Sequence, residues 1–124
     1  MTKRPLNSRF TDKVLDEIKI TTIRDNPWPI GRPIMLYNWS GAPYRSKHVD
    51  VAVIVVLDCW PISIERTDSG MRYEPCRLGG RALWQCEGFD SQEDMDAWFS
   101  AKMKAGEAVT KHLMRFELKK GGQQ

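Results

Sequence analysis

The strongest strand signal in this 124-residue sequence is the run VDVAVIVVL at residues 49–57. Asp50 is its one polar residue, and β-branched side chains make up most of the rest. Such a run is typical of a strand that is covered on both faces, and it is too short to span a bilayer. We therefore expect it to form the central strand of a buried sheet, with the other elements arranged around it.

Further strands are predicted on both sides of this run. Residues 33–39 favour a strand, which a break at residues 40–43 separates from the central one. Pro61 predicts an interruption of the central strand, which then resumes and forms a hairpin with residues 71–78. Residues 112–118 alternate between apolar and polar, as a closing strand does. Because most strands follow one another without crossover helices, we expect a mixed or antiparallel sheet rolled into a barrel.

Two helices are predicted beside these strands. Apolar residues recur at helical spacing from Phe10 to Ile18, and the helix should end near Lys19, where β-branched residues begin. Ser91, with Asp94 three residues later, predicts the N-cap of a second helix. The apolar stripe of that helix should face the core and consists of Met95, Trp98, Phe99 and Met103. The sequence thus predicts one α+β domain over residues 1–124, with its core in residues 6–118 and a frayed tail from Lys119.

Composition narrows the class of protein. Nineteen basic and sixteen acidic residues give a net charge of +3 and a pI near 8.8, which fits either a phosphate-bearing partner or an ordinary charged surface. The three cysteines form no Cys-x-x-Cys pair, and neither histidine lies near them in sequence. We therefore expect no metal site, no cofactor and no disulfide framework. Free thiols and a polar N-terminus favour a cytoplasmic protein without membrane contact.

The residues best suited to chemistry lie in the segment KITTIR at residues 19–24. A buried lysine with a lowered pKa can act as a base and activate a threonine hydroxyl, whereas a surface Lys19 would only complement the helix dipole. Thr21 and Thr22 point to opposite faces of a strand, so only one of them can share a pocket with Lys19. Arg24 either binds a phosphate or pairs with a neighbouring acid such as Asp25.

Four sequence elements resemble those of the ASCH family, whose fold is PUA-like. Residues 19–25 are similar to its Lys-x-x-Thr-x-Arg signature, and residues 10–18 to its opening helix. Residues 31–36 resemble its glycine-led strand entry, and residues 87–91 its Glu-Gly-Phe-x-Ser element. The similarity extends over most of the chain, residues 6–118. It implies a PUA-like β-barrel with flanking helices and a cleft suited to RNA or a nucleoside.

The resemblance also implies roles for particular residues. Some small bacterial ASCH members are amidohydrolases that act on acetylcytidine with a lysine, a threonine and a glutamate. Carried over to this sequence, Lys19 is the base, Thr22 the nucleophile and Glu87 the proton shuttle. Alternatively, Glu87 anchors the loop before the second helix or forms a buried ion pair with Arg24. The same resemblance allows a ribonuclease.

Two positions depart from the family pattern. Glu17 stands where the family usually has a glycine two residues before the lysine. Its side chain would alter the turn that presents Lys19, or supply a carboxylate that keeps the lysine charged. Arg32 stands where an acid is common.

Other residues are candidates for contacts with the ligand. Trp28 either stacks on a base or packs on the core as a lid, and Thr21 and Arg24 flank the proposed nucleophile. Arg45 and Lys47 lie in a basic loop that either contacts phosphates or is simply solvated. The leading hypothesis is an RNA- or nucleoside-binding cleft, and the alternatives are an amidohydrolase, a ribonuclease or a cleft for a protein partner.

Overall fold

The computed structural model describes residues 1–119, and strands dominate this part of the chain. The predicted tail lies outside the described residues from position 120 onward. A 3-10 turn at Ser8–Phe10 precedes the first helix. The helices are α1 (Thr11–Leu15), α2 (Leu83–Glu87) and α3 (Gln92–Ser100). The strands are β1 (Thr2–Pro5), β2 (Thr21–Arg24), β3 (Pro33–Trp39), β4 (His48–Thr67), β5 (Gly70–Glu74), β6 (Arg77–Leu78), β7 (Arg81–Ala82) and β8 (Ala108–Leu118).

The long strand β4 is the centre of the main sheet, as its sequence predicts. The strand order is β1-β3-β4-β8-β2, and β5 pairs with the second half of β4. β1 runs parallel to β3, and the other pairs in this sheet are antiparallel. Strands β6 and β7 form a separate small hairpin. The predictions of an α+β class and a mixed sheet are therefore confirmed.

The sheet is open, whereas the sequence predicts that it closes into a barrel. β1 and β2 are the two ends of the hydrogen-bonded path in the described chain. Each has four residues, and β1 ends in a proline, which cannot extend a backbone ladder. A side chain joins the two edges instead, because Nη2 of Arg24 donates a hydrogen bond of 2.9 Å to the carbonyl oxygen of Pro5.

Strand β4 continues through Pro61, so the predicted interruption at this residue is wrong. The strand pairs with β8 from Ile54 to Glu65, with a register shift between Val56 and Asp58. On its other side, the pairing with β3 stops at Val55, which lies opposite Pro33, and the pairing with β5 starts at Ser63, which lies opposite Glu74. Pro61 lies in the gap between those two partners, where a residue without an N–H donor costs no ladder bond on that side.

Helix α1 ends earlier than predicted, and its end determines how Lys19 is presented. The amides of Glu17 and Ile18 donate to the carbonyls of Val14 and Lys13 at 3.0 and 2.8 Å. This is a Schellman turn, in which the residue after the helix adopts a left-handed conformation that favours glycine. Glu17 occupies that position with φ of 59°. The turn expected from a glycine therefore forms with a glutamate, at a cost of about 1 kcal/mol or somewhat more.

The core lies between the sheet and the helices. Ile34, Ile54, Ile62, Ile64 and Leu113 are fully buried and come from three neighbouring strands. The predicted stripe also faces inward: Met95 and Phe99 of α3 are buried with Trp98 packed against the core, and the buried Met103 follows the helix, which ends at Ser100. Ser91 caps this helix as expected, since its Oγ accepts from the amide of Asp94 at 3.0 Å. None of the helices in the described part of the chain has the length and apolar character that crossing a membrane requires.

Candidate functional site

A cavity of about 480 Å³ lies between strand β2 and the segments that follow helices α2 and α3. Its polar lining includes three predicted catalytic residues, Lys19, Thr22 and Glu87. Aromatic side chains form much of the wall: Phe10, Phe89, Trp98 and Phe99. The cavity therefore combines a small number of converging polar groups with apolar walls, as ligand sites commonly do.

Lys19 is buried beneath this cavity and contacts Glu87 in two ways. Lys19 is 4% exposed, so the alternative interpretation of Lys19 as a surface lysine is wrong. Its Nζ donates to the backbone carbonyl of Glu87 at 2.9 Å and lies 3.6 Å from the carboxylate Oε1. The amine also lies 4.8 Å from the centre of the Phe10 ring. Lys19 thus has both a counter-charge and a hydrogen-bond acceptor inside a largely apolar shell.

The turn after α2 packs directly against Lys19, which follows the turn after α1. Gly88 follows α2 and has φ of 88°. Its amide donates to the carbonyl oxygen of Gln85 at 3.1 Å, and the amide of Phe89 donates to that of Trp84 at 3.0 Å. This is a second Schellman turn, which matches the one at Glu17. A Cβ atom on Gly88 would lie 2.9 Å from Cβ of Lys19. The absence of a side chain at Gly88 therefore lets the lysine stem lie against the turn and reach Glu87.

The two threonines of β2 have different partners. Thr21 is fully buried, and its hydroxyl donates to Oε2 of Glu87. Thr22 lines the cavity, and its Oγ1 accepts a hydrogen bond of 2.9 Å from Nε of Arg24. As predicted for neighbouring strand residues, they serve opposite sides of the strand. Thr22 shares the cavity with Lys19, while Thr21 holds the carboxylate from behind.

Arg24 connects the cavity to the edge of the sheet. Besides its bonds to Thr22 and Pro5, its guanidinium lies 4.6 Å from the centre of the Trp28 ring. Arg24 does not form an ion pair with Asp25, which is paired with Lys111 instead. The guanidinium is therefore held by neutral groups beside the cavity that Arg24 lines.

The surroundings of Lys19 lower the basicity of its amine. Burial lowers the pKa of the Lys19 amine from its ordinary value of 10.5, Glu87 opposes that shift, and the charge of Arg24 adds to it. The carboxylate of Glu87 therefore raises the pKa of Lys19 and partly offsets the effect of burial. A lowered pKa increases the fraction of neutral amine, which is the form that can accept a proton.

The remaining predicted binding residues lie outside the cavity lining. Trp28 is 6% exposed and belongs to the hydrophobic core, which corresponds to the packing alternative rather than to base stacking. Arg45 and Lys47 are exposed in the loop between β3 and β4. The structure therefore brings together Lys19, Thr21, Thr22, Arg24 and Glu87, but not Trp28 or the basic loop.

Several cavity residues were not predicted as site residues. Phe10 and Trp98 line it although their spacing indicates only packing, and Phe89 lines it as well. Lys102, which follows α3, and Lys111 on β8 are also part of the lining. Phe89 could have been found from its place in the Glu-Gly-Phe element, two residues after Glu87. No local pattern distinguishes Lys102 and Lys111 from surface lysines.

Compared with protein-family models, with curated proteins and with solved structures, this chain matches none of them.

Proposed function

We propose that this chain is an ASCH-type domain with PUA-like architecture that binds a nucleoside, free or within RNA, in the cavity above Lys19. The observation that carries this proposal is the buried pair of Lys19 and Glu87, which lines an aromatic-walled cavity of about 480 Å³. Ligand pockets for small molecules have volumes of roughly 300–1,000 Å³, and a nucleoside fits this range. The resemblance of residues 19–25 and 87–91 to ASCH elements supports the same interpretation.

The polar groups suit the edge of a base. The carboxylate of Glu87 can accept hydrogen bonds, since each of its oxygens has two lone pairs and Thr21 uses one of them. The Lys19 ammonium can donate to a ring carbonyl, because its bond to the Glu87 backbone uses one of three protons. An acceptor beside a donor complements a base that presents an amino group beside a carbonyl. Aromatic walls add stacking, which tolerates different bases.

Nucleoside binding is expected to depend on the tryptophan in the cavity wall. In an NMR titration with cytidine and with N4-acetylcytidine, saturable shifts should appear at the amides of residues 19–24 and 87–89. Trp98→Leu should weaken binding about tenfold or more, since base–aromatic stacking contributes roughly 1–3 kcal/mol. Trp60→Leu is the matched control, because Trp60 lies on β4 and does not line this cavity. If neither nucleoside nor a short RNA shifts these amides, the proposal is wrong.

A second candidate function is hydrolysis of an acylated nucleoside, and the buried Lys19 with its lowered pKa favours it. Neutral Lys19 would take the proton of Thr22 as its oxygen attacks the amide carbonyl. Arg24 donates to this oxygen, which leaves the hydroxyl proton free to transfer and stabilises the developing alkoxide. Glu87 would then pass this proton from Lys19 to the leaving amine as the carbon–nitrogen bond breaks. Water would then release the acyl group from Thr22.

Hydrolysis of N4-acetylcytidine, followed by chromatography, tests this candidate. The rate should rise with pH through a midpoint below 10.5, because only the neutral amine can act as the base and burial lowers its pKa. Lys19→Arg keeps the positive charge next to Glu87 but cannot act as a base, so activity should fall by about 10²-fold or more while binding persists. Thr22→Val should be inactive and Thr22→Ser active. Equal rates for the wild type and Lys19→Arg would exclude Lys19 as the base.

A further inference from the structure

The cavity described above carries positive charge in addition to that of Lys19. Arg24 at the end of β2, Lys102 just after α3 and Lys111 on β8 all line it. These three residues come from separate parts of the chain, so their meeting is a product of the fold. Their side chains bring three cationic groups to a cavity that also has aromatic walls, and the charges of Arg24 and Lys111 act on Lys102.

The carboxylates of the cavity do not balance these cations. Asp25 pairs with Lys111, and Oε1 of Glu107 accepts from the backbone amide of Lys104 at 2.8 Å. Neither Arg24 nor Lys102 takes part in an ion pair found within residues 1–119. Two positive charges therefore face the cavity without a carboxylate partner at salt-bridge distance.

The pKa of Lys102 is affected by the two neighbouring positive charges. The Nζ of Lys102 lies 4.1 Å from the centre of the Trp98 ring, which keeps the amine over the cavity wall. Burial lowers the pKa of Lys102, and the neighbouring charges of Lys111 and Arg24 lower it further. A bound anion would relieve the repulsion among these three groups.

We propose that Arg24, Lys102 and Lys111 form a phosphate subsite, so that the ligand of the cavity is a nucleoside carrying a phosphate. A planar guanidinium and two ammonium groups are the donors that proteins use to bind phosphate oxygens. The aromatic wall at Trp98 lies beside the subsite, which allows a base and its phosphate to bind together. A free nucleotide and an RNA backbone both supply such a phosphate, and only the nucleoside part of this inference rests on the proposed function.

Inorganic phosphate tests the subsite independently of any base. In an NMR titration, phosphate should produce saturable shifts at the amides near Lys102 and Lys111, and these should disappear in Lys102→Gln. Asp25→Asn should strengthen phosphate binding about two- to fivefold, because it frees Lys111 from an exposed ion pair. Lys104→Gln is the matched control: it removes the same charge from the same segment, but Lys104 does not line the cavity. Absence of saturable shifts in the wild type, or equal losses in Lys102→Gln and Lys104→Gln, overturns the subsite.

Nucleotides then separate this inference from the proposed function. At least one of cytidine 5′-monophosphate and cytidine 3′-monophosphate should bind tenfold tighter than cytidine. In Lys102→Gln this difference in affinity should be lost. A short single-stranded RNA that binds tighter still identifies an RNA backbone as the source of the phosphate, and equal affinity identifies the free nucleotide. If phosphate binds but no nucleoside or nucleotide does better than phosphate alone, the subsite stands and the proposed function fails. If cytidine binds as tightly as both monophosphates, the subsite is wrong.

Discussion

Replacing Glu87 with alanine is expected to lower the free energy of unfolding by about 3–5 kcal/mol, because it leaves a buried lysine without its counter-charge. Lys19 and Glu87 are 4% and 3% exposed, so water cannot replace the lost carboxylate without a rearrangement. The same substitution removes the acceptor of the buried Thr21 hydroxyl. Urea denaturation followed by circular dichroism measures the change.

Two further variants separate charge from packing at this pair. Lys19→Met combined with Glu87→Leu replaces both ions with apolar groups, and it should recover most of the lost stability. Glu65→Ala breaks an exposed ion pair with Arg72 and should cost less than about 1 kcal/mol. A loss in Glu87→Ala no larger than that in Glu65→Ala would show that the buried pair contributes no more than a surface one.

Gly88→Ala is expected to destabilise the protein by about 2–4 kcal/mol, since a left-handed backbone and a steric clash act together. The φ of 88° disfavours any residue with a Cβ, and the added Cβ would meet the Lys19 stem at 2.9 Å. Relief of this clash must move either the turn or the lysine, so the contact between Nζ of Lys19 and Glu87 should also be lost. Nucleoside affinity should therefore fall together with stability.

Gly106→Ala is the matched control for this prediction. Gly106 has φ of 80°, but a Cβ there would meet nothing within 4 Å. The backbone cost should be similar, at about 1 kcal/mol or somewhat more, while ligand binding stays unchanged. If the two alanine variants lose the same stability and bind equally well, the close approach of Gly88 to Lys19 has no functional importance.

Residues with a strong local signal were predicted well. The β-branched run at residues 49–57 forms strand because such side chains fit a pleated sheet, although only Ile54 and Val56 of the run are buried. Ser91 caps α3 because its hydroxyl and the free amide of Asp94 are neighbours in any helix start. The pairing of Lys19 with Glu87 has no such local signal and follows only from the resemblance to ASCH elements, and the two residues do meet in the structure.

The features that the sequence does not predict depend on contacts between distant parts of the chain. Pro61 is tolerated in β4 because of where β3 and β5 end, which a local pattern does not contain. The burial of Trp28 and the partner of Thr21 likewise depend on packing around β2. Lys102 has the same local sequence character as an exposed lysine, and only the fold gives it a cavity to line.

The position of β2 in the sheet has a consequence for the order of folding. β2 carries Thr21, Thr22 and Arg24, and within the described chain its strand partner is β8, which pairs with it at residues 112–115. A ribosome must therefore synthesise nearly all the described residues before the cavity can assemble, although the β3–β4 hairpin is available much earlier. Such distant pairing slows folding, since a long loop must close before the contact is gained. Assembly of the site thus coincides with completion of the sheet and does not precede it.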